Sequence, residues 1–131
     1  MPFQQHTQNG LVWFTADILN AISHGFSTRL GGVSPAPWDS LNLRPNQGDG
    51  PEALRENYRR FFAVLGLDEN RAVLSQQTHT DHIRRVTEED AGKGVTRPRD
   101  YTDVDALITN VPNLPLTVFS ADCGTILLYD P

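Results

Sequence analysis

The chain has 131 residues, with 11 lysine and arginine side chains against 16 aspartate and glutamate and a net charge of −5. That length fits one domain able to bury roughly two-thirds of the surface its unfolded form exposes, and the acidic balance argues against a sequence-independent grip on nucleic acid phosphates. Apolar runs are far too short to cross a bilayer, and Met1-Pro2-Phe3-Gln4-Gln5-His6 lacks the basic and apolar regions of a signal peptide, so the expectation is a cytoplasmic protein with a small-molecule partner, no nucleic acid and no membrane.

In chain order, Leu11 to Phe14 and Ala21 to Phe26 read as two strands with a turn near Asn20. Residues 31–50 carry Gly31, Gly32, Pro35, Pro37, Pro45, Gly48 and Gly50, punctuation too dense for a regular element, so a long ordered loop is expected. A helix should open at Asp49-Gly50-Pro51-Glu52, where a cap, a proline at the first helical position and an acidic first turn coincide. Leu54, Tyr58, Phe61, Phe62 and Leu65 then recur at helical spacing, with Arg55, Glu56, Arg59 and Arg60 on the other side, and Gly66 stops the element.

Downstream, Ala72 to Ser75 and Ile83 to Thr87 read as strands around the polar segment Gln76 to His82. The charged stretch from Glu88 to Asp103 reads as a solvated excursion, of the kind that flaps over a site. Three apolar runs follow, Ala106 to Thr109, Leu116 to Phe119 and Ile126 to Tyr129, and imply strands in the middle of a sheet. The last run ends at Asp130-Pro131 with no helix after it to cover the sheet, which predicts a domain incomplete at the C-terminus.

Three places carry candidate chemistry. Cys123, the single cysteine, sits in Ser120-Ala121-Asp122-Cys123-Gly124 and cannot form an internal disulfide. Its bland reading is a small buried hydrophobe; its chemical readings are metal ligand or nucleophile. His79 and His82 flank Thr80-Asp81, and with Cys123 they supply nitrogen, oxygen and sulfur donors of the kinds that hold zinc, although His-x-x-His outside a helix has no fixed geometry and a solvated loop histidine is the default. His79, deeper in the polar turn, is the better ligand candidate. The segment His24 to Ser34 ends a strand with Ser27, Thr28, Arg29, Gly31 and Gly32, a composition able to receive an anion through backbone N–H groups and a guanidinium. It is not a P-loop, since no Gly-Lys-Ser/Thr follows.

Together these segments resemble the laccase-domain family, the multicopper polyphenol oxidase-like or purine nucleoside phosphorylase-type proteins. The resemblance rests on His24 to Ser34 (HGFSTRLGGVS), Ser40-Leu41-Asn42-Leu43, the Gly48-Asp49 entry to the helix with Glu56-Asn57, Gln77-Thr78-His79, Asp105 to Asn110, and Ala121-Asp122-Cys123 leading to Tyr129-Asp130-Pro131. It implies an α+β fold, a mixed β-sheet sandwich with flanking helices, of which residues 1–131 form the N-terminal part of a single laccase-type domain. It also implies a cytoplasmic monomer, with zinc bound by His79 and Cys123.

Two departures accompany the resemblance. The family's third zinc ligand is a histidine in a His-Ala-Gly-Trp segment downstream of the Asp-Pro pair, and this chain has no such segment; the family's Val-Pro after Ala-Asp-Cys is Gly124-Thr125 here. The implied activity is zinc-dependent phosphorolysis of adenosine, inosine or methylthioadenosine, with adenosine deamination as a side reaction. Arg29 is then the expected phosphate contact and His79 with Cys123 the catalytic centre. Two alternatives stand beside it: a hydrolase editing cell-wall precursors with Cys123 as nucleophile and His79 as its base, and a catalytically silent fragment. A multicopper oxidase ranks below these, because one cysteine and 4 histidines cannot build several copper centres.

Overall fold

A computed structural model describes residues 2–131, which gather into two compact units, Met1–Leu67 with Tyr129–Pro131 and Asp68–Leu128. The first unit joins the α-helix to a sheet and the second joins strand pairs to short 3-10 turns, so the chain mixes helix and strand as the α+β expectation requires.

The first unit is built on a three-stranded antiparallel sheet of β1 (Phe3–Gln8), β2 (Leu11–Ala16) and β3 (Phe26–Ser27), with β2 in the centre. β1 was not expected, because its residues are polar and largely exposed and show no apolar alternation. The signal lay in the turn: Asn9 and Gly10 both take positive φ, 52° and 81°, as a two-residue hairpin loop demands, and they set Gln8 opposite Leu11 and His6 opposite Trp13. The strand expected over Ala21 to Phe26 reduces to β3. Before it, a 3-10 turn covers Asp17–Leu19, and His24 then pins the irregular chain by accepting the Ala16 N–H at 2.8 Å.

The one α-helix among the described residues, α1, spans Pro51–Leu65 as its signals predict, with Gly50 at the N-cap. Gly66 ends it at φ 69°, its N–H on Ala63 O and the Leu67 N–H on Phe62 O. Tyr58, Phe61 and Phe62 are buried with Leu11, Trp13, Leu19 and Leu41, forming this unit's core. The helix also buries Asn57 completely, a residue that the apolar pattern alone did not mark.

Asn57 explains how residues 31–50 stay ordered without regular structure. Its Oδ1 accepts the Val33 N–H at 2.9 Å, and its Nδ2 donates to Ser34 Oγ and Asn42 O, both at 2.8 Å. Asp49 adds a second knot, accepting from the Ser34 hydroxyl at 2.6 Å and from Asn42 Nδ2 at 3.0 Å. Burial raises its pKa, but these bonds and the Gly50 N–H more than offset that and hold the carboxyl below the usual range. Gly32 is required by close approach: a Cβ there would stand 2.1 Å from Ser40 O.

The second unit contains two parallel strand pairs. β4 (Val73–Leu74) pairs with β7 (Leu116–Thr117), and β5 (Ile83–Arg85) pairs with β6 (Ala106–Ile108). Val73, Val86 and Leu114 form the core, with Ala91, Tyr101, Leu107 and Val111 packed against them.

Two expectations are corrected here. The stretch from Glu88 to Asp103 is only in part a solvated excursion: Glu88, Glu89, Arg97 and Asp100 stay exposed, but Asp90 and Lys93 are buried and paired. Asp90 is buried between Lys93 Nζ at 2.6 Å and Arg84 Nη2 at 2.8 Å, and Lys93 also meets Asp100 at 2.9 Å. Arg84 lies 4.6 Å over the Tyr101 ring, whose hydroxyl donates to Leu74 O at 2.6 Å. The run Ile126 to Tyr129 forms no strand; it has no ladder partner among the described residues, and Ile126 and Leu128 are 80% and 89% exposed.

Candidate functional site

The polar segment between β4 and β5 is held from three sides. Gln76 exchanges backbone hydrogen bonds with Val104, donating at 3.0 Å and accepting at 2.9 Å. That bridge sets the chain entering β6 beside the loop. Alternation then puts Asp103 and Asp105 on one side, with Val104 turned the other way and buried.

Asp105 is the centre of the arrangement. Its two carboxylate oxygens accept the Thr78 N–H at 2.8 Å and the His79 N–H at 2.9 Å. At His79 itself the backbone adopts φ 62°, a left-handed conformation that histidine visits more readily than bulkier or branched residues. Asp103 accepts from the hydroxyls of Thr78 and Thr80, the latter at 2.9 Å, and lies 2.7 Å from His82 Nδ1. Both carboxyls titrate below the ordinary range. For Asp105 the leading cause is the Thr78 N–H, and for Asp103 it is the Thr78 hydroxyl followed by that of Thr80. The loop is thus anchored by two aspartates whose ionised form these hydrogen bonds favour.

Gln77 ties this loop to the chain that leads to Cys123. Its Nε2 donates to Phe119 O and its Oε1 accepts the Phe119 N–H, both at 2.7 Å, while the Ser75 hydroxyl also donates to Oε1 at 2.7 Å. Beyond Phe119 the chain turns through Ser120 to Gly124, closed by a 2.9 Å bond from the Thr125 hydroxyl to Ser120 Oγ. Cys123 on this turn is exposed, which overturns its reading as a buried hydrophobe. His79 is exposed as well.

His79 and Cys123 therefore belong to one unit and to two segments joined through Gln77. Arg29 belongs to the other unit, where its Nε donates to Asp39 O at 2.8 Å and its Nη2 lies 3.2 Å from the Asp39 carboxylate. The rest of the predicted anion-receiving segment is occupied by packing. The Thr28 hydroxyl donates to Val12 O at 2.7 Å, and Gly31 and Gly32 make room for the backbones of Leu11 and Ser40. Asp103 and Asp105 were missed as functional supports. Their signal was an acidic i, i+2 pair just before an apolar run, matched by hydroxyls at Thr78 and Thr80.

Among the described residues, no three His, Cys, Asp or Glu side chains converge in a way that would hold a metal ion. His79 and Cys123 have donor types suited to zinc, but a zinc site takes three or four protein ligands. The residues present thus fit the metal in kind and fall short in number.

The family profile described as multi-copper polyphenol oxidoreductase laccase matches residues 23–131. The chain belongs to this family. It is 36% identical over 116 residues to the purine nucleoside phosphorylase Rv2149c of Mycobacterium tuberculosis, covering 88% of this chain and 44% of that protein. It is 38% identical over 115 residues to the purine nucleoside phosphorylase SCO2081 of Streptomyces coelicolor, covering 88% and 45%. The fold matches the crystal structure of the hypothetical protein YfiH of Bacillus licheniformis with a TM-score of 0.81 at 31% identity, over 93% of this chain and 45% of that one. The chain therefore spans a little under half the length of the relatives it matches. No helix among the described residues is long and apolar enough to cross a membrane.

Proposed function

We propose that this chain carries the N-terminal part of a single laccase-type domain acting as a purine nucleoside phosphorylase, a cytoplasmic monomer that cleaves adenosine, inosine or methylthioadenosine with phosphate and deaminates adenosine as a side reaction. The observation that carries the reading is the anchoring of the Gln77-Thr78-His79 loop by Asp105 and its tie to the Cys123 segment, in a chain whose relatives bear that enzyme name. Anchored backbone at the segments that bear His79 and Cys123 supports the reading, since a catalytic constellation needs its supports held and a solvated loop does not.

In this reading His79 and Cys123 are two ligands of a zinc ion, and a third donor comes from outside residues 2–131. Bound there, zinc would supply Lewis-acid chemistry. The chain's own contributions are distinct. Asp105 fixes the backbone at His79, Gln77 keeps the thiol-bearing segment in register with it, and Arg29 receives phosphate. An exposed pair such as Arg29–Asp39 is weakly held and salt-sensitive, so an incoming phosphate can displace Asp39 from the guanidinium fork.

The exposure of Cys123 favours one rival, the cysteine hydrolase with His79 as base. One assay separates them: release of hypoxanthine from inosine with and without phosphate, with zinc content measured on the same sample. Release that requires phosphate and is lost in His79→Ala supports the phosphorylase. Cleavage indifferent to phosphate and to chelator supports the hydrolase, and absence of both activities supports a silent fragment.

A further inference from the structure

Three residues after His79 the same loop presents a second imidazole, held more firmly than an exposed side chain requires. The His82 side chain is 59% exposed, yet its Nδ1 lies 2.7 Å from Asp103 Oδ2. The other oxygen of that carboxylate accepts the hydroxyls of Thr78 and Thr80, so Asp103 cannot turn away from the ring without giving up both. The backbone beneath the ring is fixed as well. His82 O accepts the N–H of Asp105 at 3.1 Å and that of Ala106 at 3.2 Å.

An exposed ion pair adds little to stability, but this one has a chemical consequence. An ionised carboxylate only accepts hydrogen bonds, and the threonine hydroxyls hold the Asp103 carboxyl below the ordinary range, so Nδ1 is the ring nitrogen that donates. Nε2 is then the nitrogen that takes up and gives up a proton, and it has no partner among the described residues. An imidazole oriented through one nitrogen by a carboxylate, with the other nitrogen open, is the arrangement in which histidine serves as a general acid or base.

We propose that His82 is the general acid of the phosphorylase reaction, a catalytic residue whose Nε2–H protonates the departing purine, with Asp103 as its positioning residue. This inference rests on the phosphorylase reading. The step balances as follows. A phosphate oxygen bonds to the anomeric carbon of the ribose, and the glycosidic C–N bond breaks with its electron pair passing into the purine. The imidazolium proton moves from Nε2 to the purine N7, and the proton that hydrogen phosphate gives up restores the imidazolium.

The test compares inosine with 7-methylinosine as substrates of the full chain, in the presence of phosphate and zinc. Methylation at N7 makes that nitrogen cationic already and leaves nothing there to protonate, so the pair of substrates isolates the proposed proton transfer. His82→Gln, at an exposed position, should lower kcat/KM for inosine about 100-fold to 10,000-fold, as loss of a general acid does, and that for 7-methylinosine by less than about tenfold. Asp103→Asn, which permits the opposite tautomer, should show the same selective loss and serves if the first variant fails to fold. Nitrogen chemical shifts of the neutral His82 ring should place its single proton on Nδ1.

Equal losses on both substrates would make His82 a structural residue. Undiminished cleavage of inosine in His82→Gln would remove it from the reaction, and a neutral ring protonated on Nε2 would remove Asp103 as its support. Each of these overturns the proposal and leaves the phosphorylase reading standing. A parent chain that cleaves neither nucleoside with phosphate overturns both, so the two failures are distinguishable.

Discussion

The side-chain amide of Gln77 forms both hydrogen bonds that the backbone of Phe119 can offer, each 2.7 Å long, across 42 residues of sequence. A single side chain thus does the work of a strand partner, joining the loop that presents His79 to the segment that presents Cys123. Gln77→Ala would leave the Phe119 N–H and C=O partly buried without partners and strip the Ser75 hydroxyl of its acceptor. The expected cost is about 1–3 kcal/mol in denaturant unfolding, with cobalt(II) titration showing a weaker cobalt–thiolate absorbance. A destabilised variant with undiminished cobalt–thiolate absorbance would show that the tie holds the fold and not the pair of donors.

Acid should loosen the His79 loop before it unfolds the unit. Asp103 and Asp105 both have folded-state pKa values held below the ordinary carboxylate value, so their contribution to stability is present above the unfolded pKa of about 4 and is lost as pH falls through the lower folded values. Hydrogen exchange of the Thr78 and His79 amides should accelerate, relative to pH-corrected intrinsic rates, only below about pH 4. Asp105→Asn keeps one oxygen acceptor and replaces the other with a donor aimed at an N–H, so its His79 amide should exchange quickly at neutral pH as well. Protection unchanged in Asp105→Asn would remove Asp105 from the role assigned to it.

How far the sequence could be read depended on whether a feature was local. The helix over Pro51–Leu65 was legible because its cap, proline, apolar spacing and terminal glycine all lie within one stretch. The exposed polar strand β1 was hidden because residue spacing marks strands only when one face is buried; the Asn9-Gly10 pair was the usable sign. The segment Glu88 to Asp103 misled because composition counts charges without showing that Asp90, Lys93 and Arg84 neutralise one another. At the candidate site, His79 and Cys123 stood out by residue type and by their family motifs. Gln77 and Asp105 lay in the same motifs, but their role as supports did not show, since their contacts span 42 and 26 residues and leave no periodic trace.

The same contrast gives a stability prediction for the first unit. Asn57 is 0% exposed and satisfies groups on Val33, Ser34 and Asn42, the chief polar anchor of a loop with no ladder of its own. Asn57→Leu is nearly isosteric and apolar, so a purely hydrophobic view of α1 would rate it favourable. The hydrogen-bond view predicts the reverse, a loss of about 2–4 kcal/mol, because one buried and two part-buried partners are orphaned at once. Thermal unfolding monitored at Trp38, which sits in that loop and donates its indole N–H to Gln47 O, should report the change. A variant as stable as the parent would mean that water replaces the amide.

Cys123 offers the most direct test of the metal reading, because its thiol is exposed and is the single one in the chain. Iodoacetamide should label it to completion in the metal-free protein at a rate typical of an accessible thiol. Zinc added before the reagent should slow labelling if the sulfur is a ligand, since the metal holds the thiolate lone pair that attacks the reagent. Chelator should restore the original rate. His79→Ala should remove most of the zinc protection while leaving the metal-free rate unchanged, because a ligand pair loses its grip with either member. A Cys123 nucleophile activated by His79 behaves in the opposite way: zinc has little effect, and His79→Ala slows labelling in the metal-free protein. Mass spectrometry of the alkylated chain reads both cases on one sample, and equal rates under all conditions would exclude any functional link between the two residues.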